Sequence, residues 1–377
     1  MSIGVAESIV ILGSFAESLT RFRGSLIAAL VARGHRVVAC APDANDEVRR
    51  TLAVIGAEYR DIRLSRAGLN PLSDMRFLMQ VKRLLKRERA TVLFAYTIKP
   101  VVYGGLAARL VGRTRFVPMI TGVGFGLTAG HGLARLAVGG LVRILYRFAL
   151  RRAHVVFFQN PDDLALFRNL SLVKPAQACV QVPGSGIDID EFPYSPPPAT
   201  PTFLMIARLL RDKGVVEYVE AARAVRARYP EARFQLAGWI DENPTSITES
   251  ELKRWVEGGE IEFLGRLTDV RPALRSCSVY VLPSYREGTP RTVLEALAIG
   301  RAVVTTDAPG CRETVRDGVN GYLVPVRDSK ALAQRLCELL ESPEQILAFG
   351  MASRRLAEER FDVRIVNRIL IEGVEAS

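Results

Sequence analysis

The chain has 377 residues, with 51 Lys and Arg against 40 Asp and Glu, five cysteines and three histidines. That length exceeds one ordinary core and points to two domains. The scattered cysteines (Cys40, Cys179, Cys277, Cys311, Cys337) exclude a disulfide scaffold and a structural zinc site, and no run approaches the roughly 18 uncharged apolar residues of a transmembrane helix.

The same cysteine pattern points to a reducing compartment, and without a basic leader before the first apolar run no signal peptide is expected. The charge is uneven. Residues 1–190 hold 26 Lys and Arg against 13 Asp and Glu, and the remainder holds 25 against 27. A basic first half beside a near-neutral second half suggests that the first half meets something anionic, whether a membrane surface, a diphosphate-linked lipid or nucleic acid. A surplus of arginine that serves solubility alone is the bland alternative.

In chain order, short apolar runs predict strands at 8–13, 36–41, 91–96, 115–120, 154–159 and 178–182. Helical patterns at 17–33, 72–89, 101–111 and 133–152 lie between them. Such alternation predicts a parallel sheet covered on both faces. Residues 192–201 then carry five prolines in ten positions, which bars helix and central strand and reads as a linker. Alternation restarts with strands near 202–207, 232–237, 261–264, 279–282, 302–306 and 321–324, and helices at 214–228 and 290–299. The expected organisation is α/β throughout: a first doubly wound domain over 1–190, a linker over 191–201, a second such domain over 202–360, and a helix over 361–377 that can return to the first domain.

In open parallel sheets, ligands bind beyond the carboxyl ends of the strands. Ser14, Thr97, Lys99, Thr121, Arg208, Gly238 and Glu287 follow predicted strands, whereas His35 and His154 precede them. His131, in the Gly-rich loop after 115–120, is the one histidine placed to reach a ligand, or is a solvated loop residue. Lys99, at a helix start with Pro100 behind it, is a candidate for an anionic group, or an ordinary surface lysine. Ser14 lies where the first strand turns into its helix. Arg143, Arg147 and Arg151 recur every four residues on helix 133–152, beside Leu141, Ile144, Leu145 and Phe148. That helix either lies on an anionic membrane or packs on its sheet with a wet arginine face.

Two stretches carry the chemistry. In 203–214 a strand ends at Ala207, and Arg208 and Lys213 follow before Gly214 opens a helix. Two cations there can neutralise a diphosphate. In 283–295 a strand runs into a loop with Glu287 and Gly288. Thr289 is expected to cap a helix begun by Pro290, with Glu295 in its second turn. Backbone N–H groups suit phosphates, and carboxylates suit sugar hydroxyls. Asp188-Ile189-Asp190 has a metal-site form, but it falls at the linker edge and no metal is expected.

Together these residues make the second half resemble the nucleotide-binding domain of retaining glycosyltransferases of family 4. Glu287 and Glu295 are spaced as in that family's Glu-x7-Glu motif. Arg208 with Lys213, Gly186-Ile187-Asp188, Gly265-Arg266, Asp307 to Glu313 and Asp317 to Val324 also match. In the first half, Tyr96 to Pro100, Thr121 to Phe125 and Phe157 to Asp163 resemble a bacterial subgroup of α-1,3-N-acetylgalactosaminyltransferases and polysaccharide glycosyltransferases that act on undecaprenyl-diphosphate-linked saccharides. The resemblance implies a GT-B fold, with two Rossmann-like domains facing a central cleft. It implies that Arg208 and Lys213 hold the donor diphosphate. Glu287 would meet the donor sugar and Glu295 the ribose, with Gly288 and Thr289 beside them. Gly265 and Arg266 would meet the base, and Ser14 would wall the donor. Lys99, Thr97, Thr121, Gly122 and His131 would face the acceptor. Many members place a histidine where Thr121-Gly122 stands, so backbone contacts from that loop are expected instead.

The reaction so implied moves a sugar, expected to be a HexNAc, from a UDP-sugar to a polyprenyl-diphosphate-linked saccharide without a cofactor or metal. The protein would be peripheral to the cytoplasmic face of the inner membrane, and its anionic surface would be a partner. No nucleic acid partner is expected. A polyanion-binding protein on an inactive nucleotide-binding fold is the alternative.

Overall fold

The structure is a computed structural model and describes residues 6–65, 70–123, 133–241 and 243–376, with the backbone alone at 133–137. It divides into two units. The first runs to Ser185 and resumes at Arg364, and the second is Gly186–Val363.

The first unit holds a parallel sheet of seven strands among the described residues: β1 (Ser8–Leu12), β2 (Arg36–Ala41), β3 (Glu58–Asp61), β4 (Val92–Tyr96), β5 (Arg115–Ile120), β6 (Val156–Phe158) and β7 (Cys179–Gln181). Their order is β3-β2-β1-β4-β5-β6-β7. Alternate residues of β1 feed two cores: Val10 and Leu12 pack on one face of the sheet, Ile9 and Ile11 on the other. Burial on both faces is why these strands read as unbroken apolar runs rather than as alternation. Helices Pro71–Arg87, Ile98–Val111, Leu133–Leu150 and Pro161–Asn169 feed the first core; Gly24–Ala32, Asp46–Ile55 and Val363–Glu375 feed the second.

Two sequence expectations differ here. The helix expected over 17–33 is interrupted, as Glu17–Arg21 and Gly24–Ala32. Arg23 leaves helical geometry between them (φ −124°) and buries its guanidinium over the rings of Phe94 and Tyr96. Strand β3 has the sequence Glu-Tyr-Arg-Asp and is held at the sheet edge by ion pairs of Arg36 and Arg60 with Glu58 and Glu88. It therefore carries no apolar run to announce it.

The last helix docks in the first unit through Val366, Leu370, Ile371 and Val374. His35 Nδ1 accepts from the Glu7 N–H (3.3 Å), so its Nε2–H donates to Glu375 (3.0 Å). Arg33 joins the same carboxylate at 3.0 Å. His35 is thus a tie between chain ends.

The second unit holds a parallel sheet of six strands among the described residues: β8 (Thr202–Arg208), β9 (Arg233–Trp239), β10 (Glu262–Gly265), β11 (Val279–Leu282), β12 (Ala302–Thr306) and β13 (Gly321–Val324). Their order, β10-β9-β8-β11-β12-β13, reverses between β8 and β11.

The proline-rich segment belongs to this second unit and does not lie at the division between units. Ser195 N–H donates to Ile299 O (3.0 Å), and Arg301 donates to Ser195 O (2.6 Å). Arg354 donates to Phe192 O and Ala298 O, each at 2.8 Å. The physical reason lies in proline itself, which removes N–H donors but keeps carbonyl acceptors. Arg301 and Arg354 take the Ser195 and Phe192 carbonyls and the Ser278 hydroxyl takes that of Thr200, so a segment unfit for helix or strand still packs. Chain passage between units falls instead at Ser185–Gly186 and Val363–Arg364. Ile187 and Asp362 pair there, with Ile187 N–H to Phe361 O at 2.8 Å and Val363 N–H to Ile187 O at 2.9 Å.

Hydrogen bonds from a charged donor contribute roughly 1.5–3 kcal/mol each. Arg354→Ala, which removes two such bonds, should therefore lower stability by about 3–6 kcal/mol in urea unfolding. An unchanged midpoint would remove the anchoring role given to Arg354.

Candidate functional site

In the second unit the strand order reverses between β8 and β11, and the loops after these two strands and after β12 meet. Three main-chain features hold the loop after β11. Tyr285 N–H donates to Asp212 O and Glu287 N–H to Pro309 O, each at 2.9 Å. The Thr306 hydroxyl donates to Ser284 O. Two glycines make this approach possible. A Cβ on Gly214 (φ +74°) would stand 2.2 Å from Pro283 O, and one on Gly310 (φ +81°) would stand 2.3 Å from Glu287 O. Both positions need left-handed backbone and an absent side chain.

The fixed loop brings Glu287 to Lys213. Glu287 Oε1 accepts from Lys213 Nζ at 2.5 Å and from Ser284 Oγ at 2.9 Å. Both charged side chains are mostly buried, at 16% exposure each. Behind them, burial and then the Glu287 charge push the Cys311 thiol up to about 12. It stays protonated at neutral pH and is no nucleophile.

The other expected donor-site residues are distributed as follows. β8 ends on Arg208, one residue later than expected, and the exposed guanidinium pairs with Asp241 at 3.2 Å. Glu295 is buried and pairs with Arg291 at 3.1 Å, while Arg291 also donates to Gly186 O at 3.3 Å. Gly288 and Thr289 lie in the loop that leads to helix Arg291–Ile299. The expected cap is displaced by one residue. Pro290, with extended ψ of 111°, is the N-cap and offers no capping side chain, and Thr289 precedes it. Pro290 therefore stands just outside the helix rather than at its first position. Gly265 (φ +68°) ends β10, two strands from β8. Arg266 stacks on Trp239 at the end of β9, 4.8 Å from the ring.

In the first unit the order reverses between β1 and β4. Ser14 follows β1 after Gly13, whose Cβ would lie 2.4 Å from Tyr96 Oη. Thr97 follows β4 with φ 68° and ψ 159°, an outlier for a β-branched residue, and its Oγ1 is buried with no hydrogen-bond partner among the described residues. Such strain tends to persist where the surroundings impose it. Thr121 and Gly122 (φ +134°) follow β5, the neighbour of β4. Lys99 pairs with buried Asp74 at 2.8 Å, and Tyr103 donates to the same carboxylate at 2.9 Å. His131 lies outside the described residues.

The structure thus joins Lys213 with Glu287 and gives Arg208, Glu295 and Lys99 partners of their own. Asp241, Ser284, Trp239 and Asp74 were not reached from the sequence. Each is defined by a contact across the fold rather than by a local pattern.

The comparisons with known proteins agree with this architecture. Residues 200–342 match the model described as glycosyl transferases group 1, and residues 19–184 match that of the glycosyl transferase 4-like domain. A Campylobacter jejuni N,N'-diacetylbacillosaminyl-diphospho-undecaprenol α-1,3-N-acetylgalactosaminyltransferase is 30% identical over 338 residues, covering 86% of this chain and 87% of the relative. An Escherichia coli UDP-Gal:α-D-GlcNAc-diphosphoundecaprenol α-1,3-galactosyltransferase is 24% identical over 297 residues, covering 73% and 72%. Among solved structures, Anabaena HepE in complex with UDP-glucose superposes with a TM-score of 0.78 at 19% identity, covering 98% of this chain and 100% of that one. The fold is GT-B.

Forcing a non-glycine residue into left-handed backbone costs about 1–2 kcal/mol. Gly265→Ala meets no atom within 4 Å, so it should cost that much and no more. Gly310→Ala adds a collision with Glu287 O and should destabilise by at least about 1 kcal/mol more. Chemical unfolding of the two variants checks the order, and equal losses would refute the close-approach argument.

Proposed function

The chain belongs to the group 1, family 4 glycosyltransferases, and on that premise we propose that it transfers a HexNAc from a UDP-sugar to a polyprenyl-diphosphate-linked saccharide, with retention of configuration, in bacterial glycan synthesis. The observation that carries this reading is the Lys213–Glu287 contact of 2.5 Å, set beyond β8 and β11 where open α/β sheets bind ligands. The names of the Campylobacter and Escherichia relatives both carry a diphosphoundecaprenol-linked sugar, which supports the acceptor class.

In this reading an arriving diphosphate takes the Lys213 ammonium from Glu287 and the Arg208 guanidinium from Asp241. The two cations then stabilise the leaving group as its charge develops, in place of a metal ion. Glu287, released, accepts hydrogen bonds from the donor sugar's hydroxyls. Glu295 serves the ribose, the Gly288–Thr289 backbone the phosphates, Gly265–Arg266 the base, and Ser14 borders the donor. The acceptor hydroxyl attacks the anomeric carbon on the face from which the diphosphate departs. Its proton passes to a donor phosphate oxygen as the old C–O bond breaks and the new one forms. Thr97, Lys99, Thr121, Gly122 and His131 serve the acceptor. A lipid-linked acceptor makes the protein peripheral, at the anionic cytoplasmic face of the inner membrane.

Labelled UDP-sugars offered with extracted lipid-linked saccharides test the reaction. Transfer from a UDP-HexNAc to the lipid fraction is the expected result. Stabilisation by oligonucleotide, with no thermal shift from any UDP-sugar, would favour polyanion binding instead. Glu287→Ala should lower turnover about 10²–10³-fold while UDP still raises the melting temperature. Wild-type turnover in that variant would remove Glu287 from the mechanism.

A further inference from the structure

Helix Leu133–Leu150 packs Tyr146, Ala149 and Leu150 into the first unit. Its outer side is not simply wet. Val138, Leu141, Ile144 and Phe148 are 39–51% exposed. At 100° per residue they fall on one arc of about 120°. Arg143, Arg147 and, just past the helix, Arg151 fall on the adjoining arc and are exposed. Apolar and cationic stripes therefore run side by side on the surface.

The cationic stripe ends in a groove of about 490 Å³ lined by Arg147, Arg151, Arg168 and Lys174, with Leu172, Val173 and Pro175 beside them and no carboxylate in the lining. Arg147 is preset. Its Nε donates to Ser171 O (3.0 Å) and its Nη2 to Leu170 O (3.1 Å), which fixes the planar fork and leaves its remaining N–H groups for another acceptor. A separate groove of about 470 Å³ is lined in part by Arg109, Arg113 and Arg152. Arg36 and Arg60, by contrast, are matched by Glu58 and Glu88. The linings of these two grooves hold several cations and no acid.

We propose that this face docks on an anionic phospholipid bilayer: Leu141, Ile144 and Phe148 enter the acyl boundary, and the Arg147–Arg151–Arg168–Lys174 groove takes a lipid phosphate. Charge complementarity and the exposed apolar stripe select a membrane over a soluble polyanion, because a nucleic acid has no use for three aliphatic or aromatic side chains without a base-stacking platform. The helix, about 27 Å long, then lies along the membrane plane. Its groove marks the edge where the strands begin, opposite the edge that carries Ser14, Thr97 and Thr121. The inference rests on the lipid-linked acceptor reading for its purpose, not for its geometry.

The full-length protein should float with vesicles containing phosphatidylglycerol and not with pure phosphatidylcholine. Arg151→Ala with Lys174→Ala should weaken that binding about 25-fold, at roughly fivefold per cation. Phe148→Trp should shift its fluorescence to the blue on the same vesicles. The double variant should keep wild-type turnover on a water-soluble short-chain diphosphate acceptor, which separates docking from catalysis. Undiminished vesicle binding by the double variant would overturn the proposal. So would displacement by millimolar inorganic phosphate, which marks a free-phosphate site, or a preference for oligonucleotide. If vesicle binding holds but no UDP-sugar is turned over by the wild type, the reaction reading falls and the docking face stands.

Discussion

Close main-chain approach around the loop after β11 is the constraint on which the candidate donor site depends. Loops after β8 and β12 press on it from both sides, with Gly214 against Pro283 and Gly310 against Glu287. Any Cβ at either glycine would force them apart. Because the loop is fixed through backbone atoms, Glu287 is aimed by the fold rather than by its own rotamer. The short contact to Lys213 follows from that aim. A site whose reacting groups are held this way loses little order when a ligand arrives.

The charges of the candidate donor site are paired: Lys213 with Glu287, Arg208 with Asp241 and Glu295 with Arg291. In the first unit Lys99 is likewise paired, with Asp74. A mostly buried lone charge is costly, and pairing offsets that cost. A dianionic ligand can displace a carboxylate from a cation because it brings more charge to the same place. In the proposed reaction, pairing would favour a diphosphate over singly charged groups, and would hand Glu287 to the sugar only once the phosphates had engaged Lys213.

How much of this the sequence reveals depends on the range of the interactions. The strands β1, β2, β4, β5, β8, β11 and β12 are buried on both faces and announce themselves as apolar runs. β3 does not, since an edge strand held by ion pairs has polar residues. Glu287 and Lys213 are legible because each follows a strand in a chain segment with a recognisable spacing. Asp74 and Asp241 are not, because they stand 25 and 33 residues from the cations they neutralise. The proline-rich segment misleads for a related reason. Local propensity excludes regular structure there, and nothing local shows that Arg301 and Arg354 take its carbonyls.

The same contrast separates the two kinds of cation in the first unit. Those beside β2 and β3 face carboxylates and serve the fold. Those of the groove at the end of helix Leu133–Leu150 have no carboxylate beside them in its lining. Unmatched like charges repel one another and destabilise the compact state. An exposed apolar stripe adds a second unfavourable feature on the same helix. The proposed bilayer would relieve both at once, being anionic at its surface and apolar just beneath.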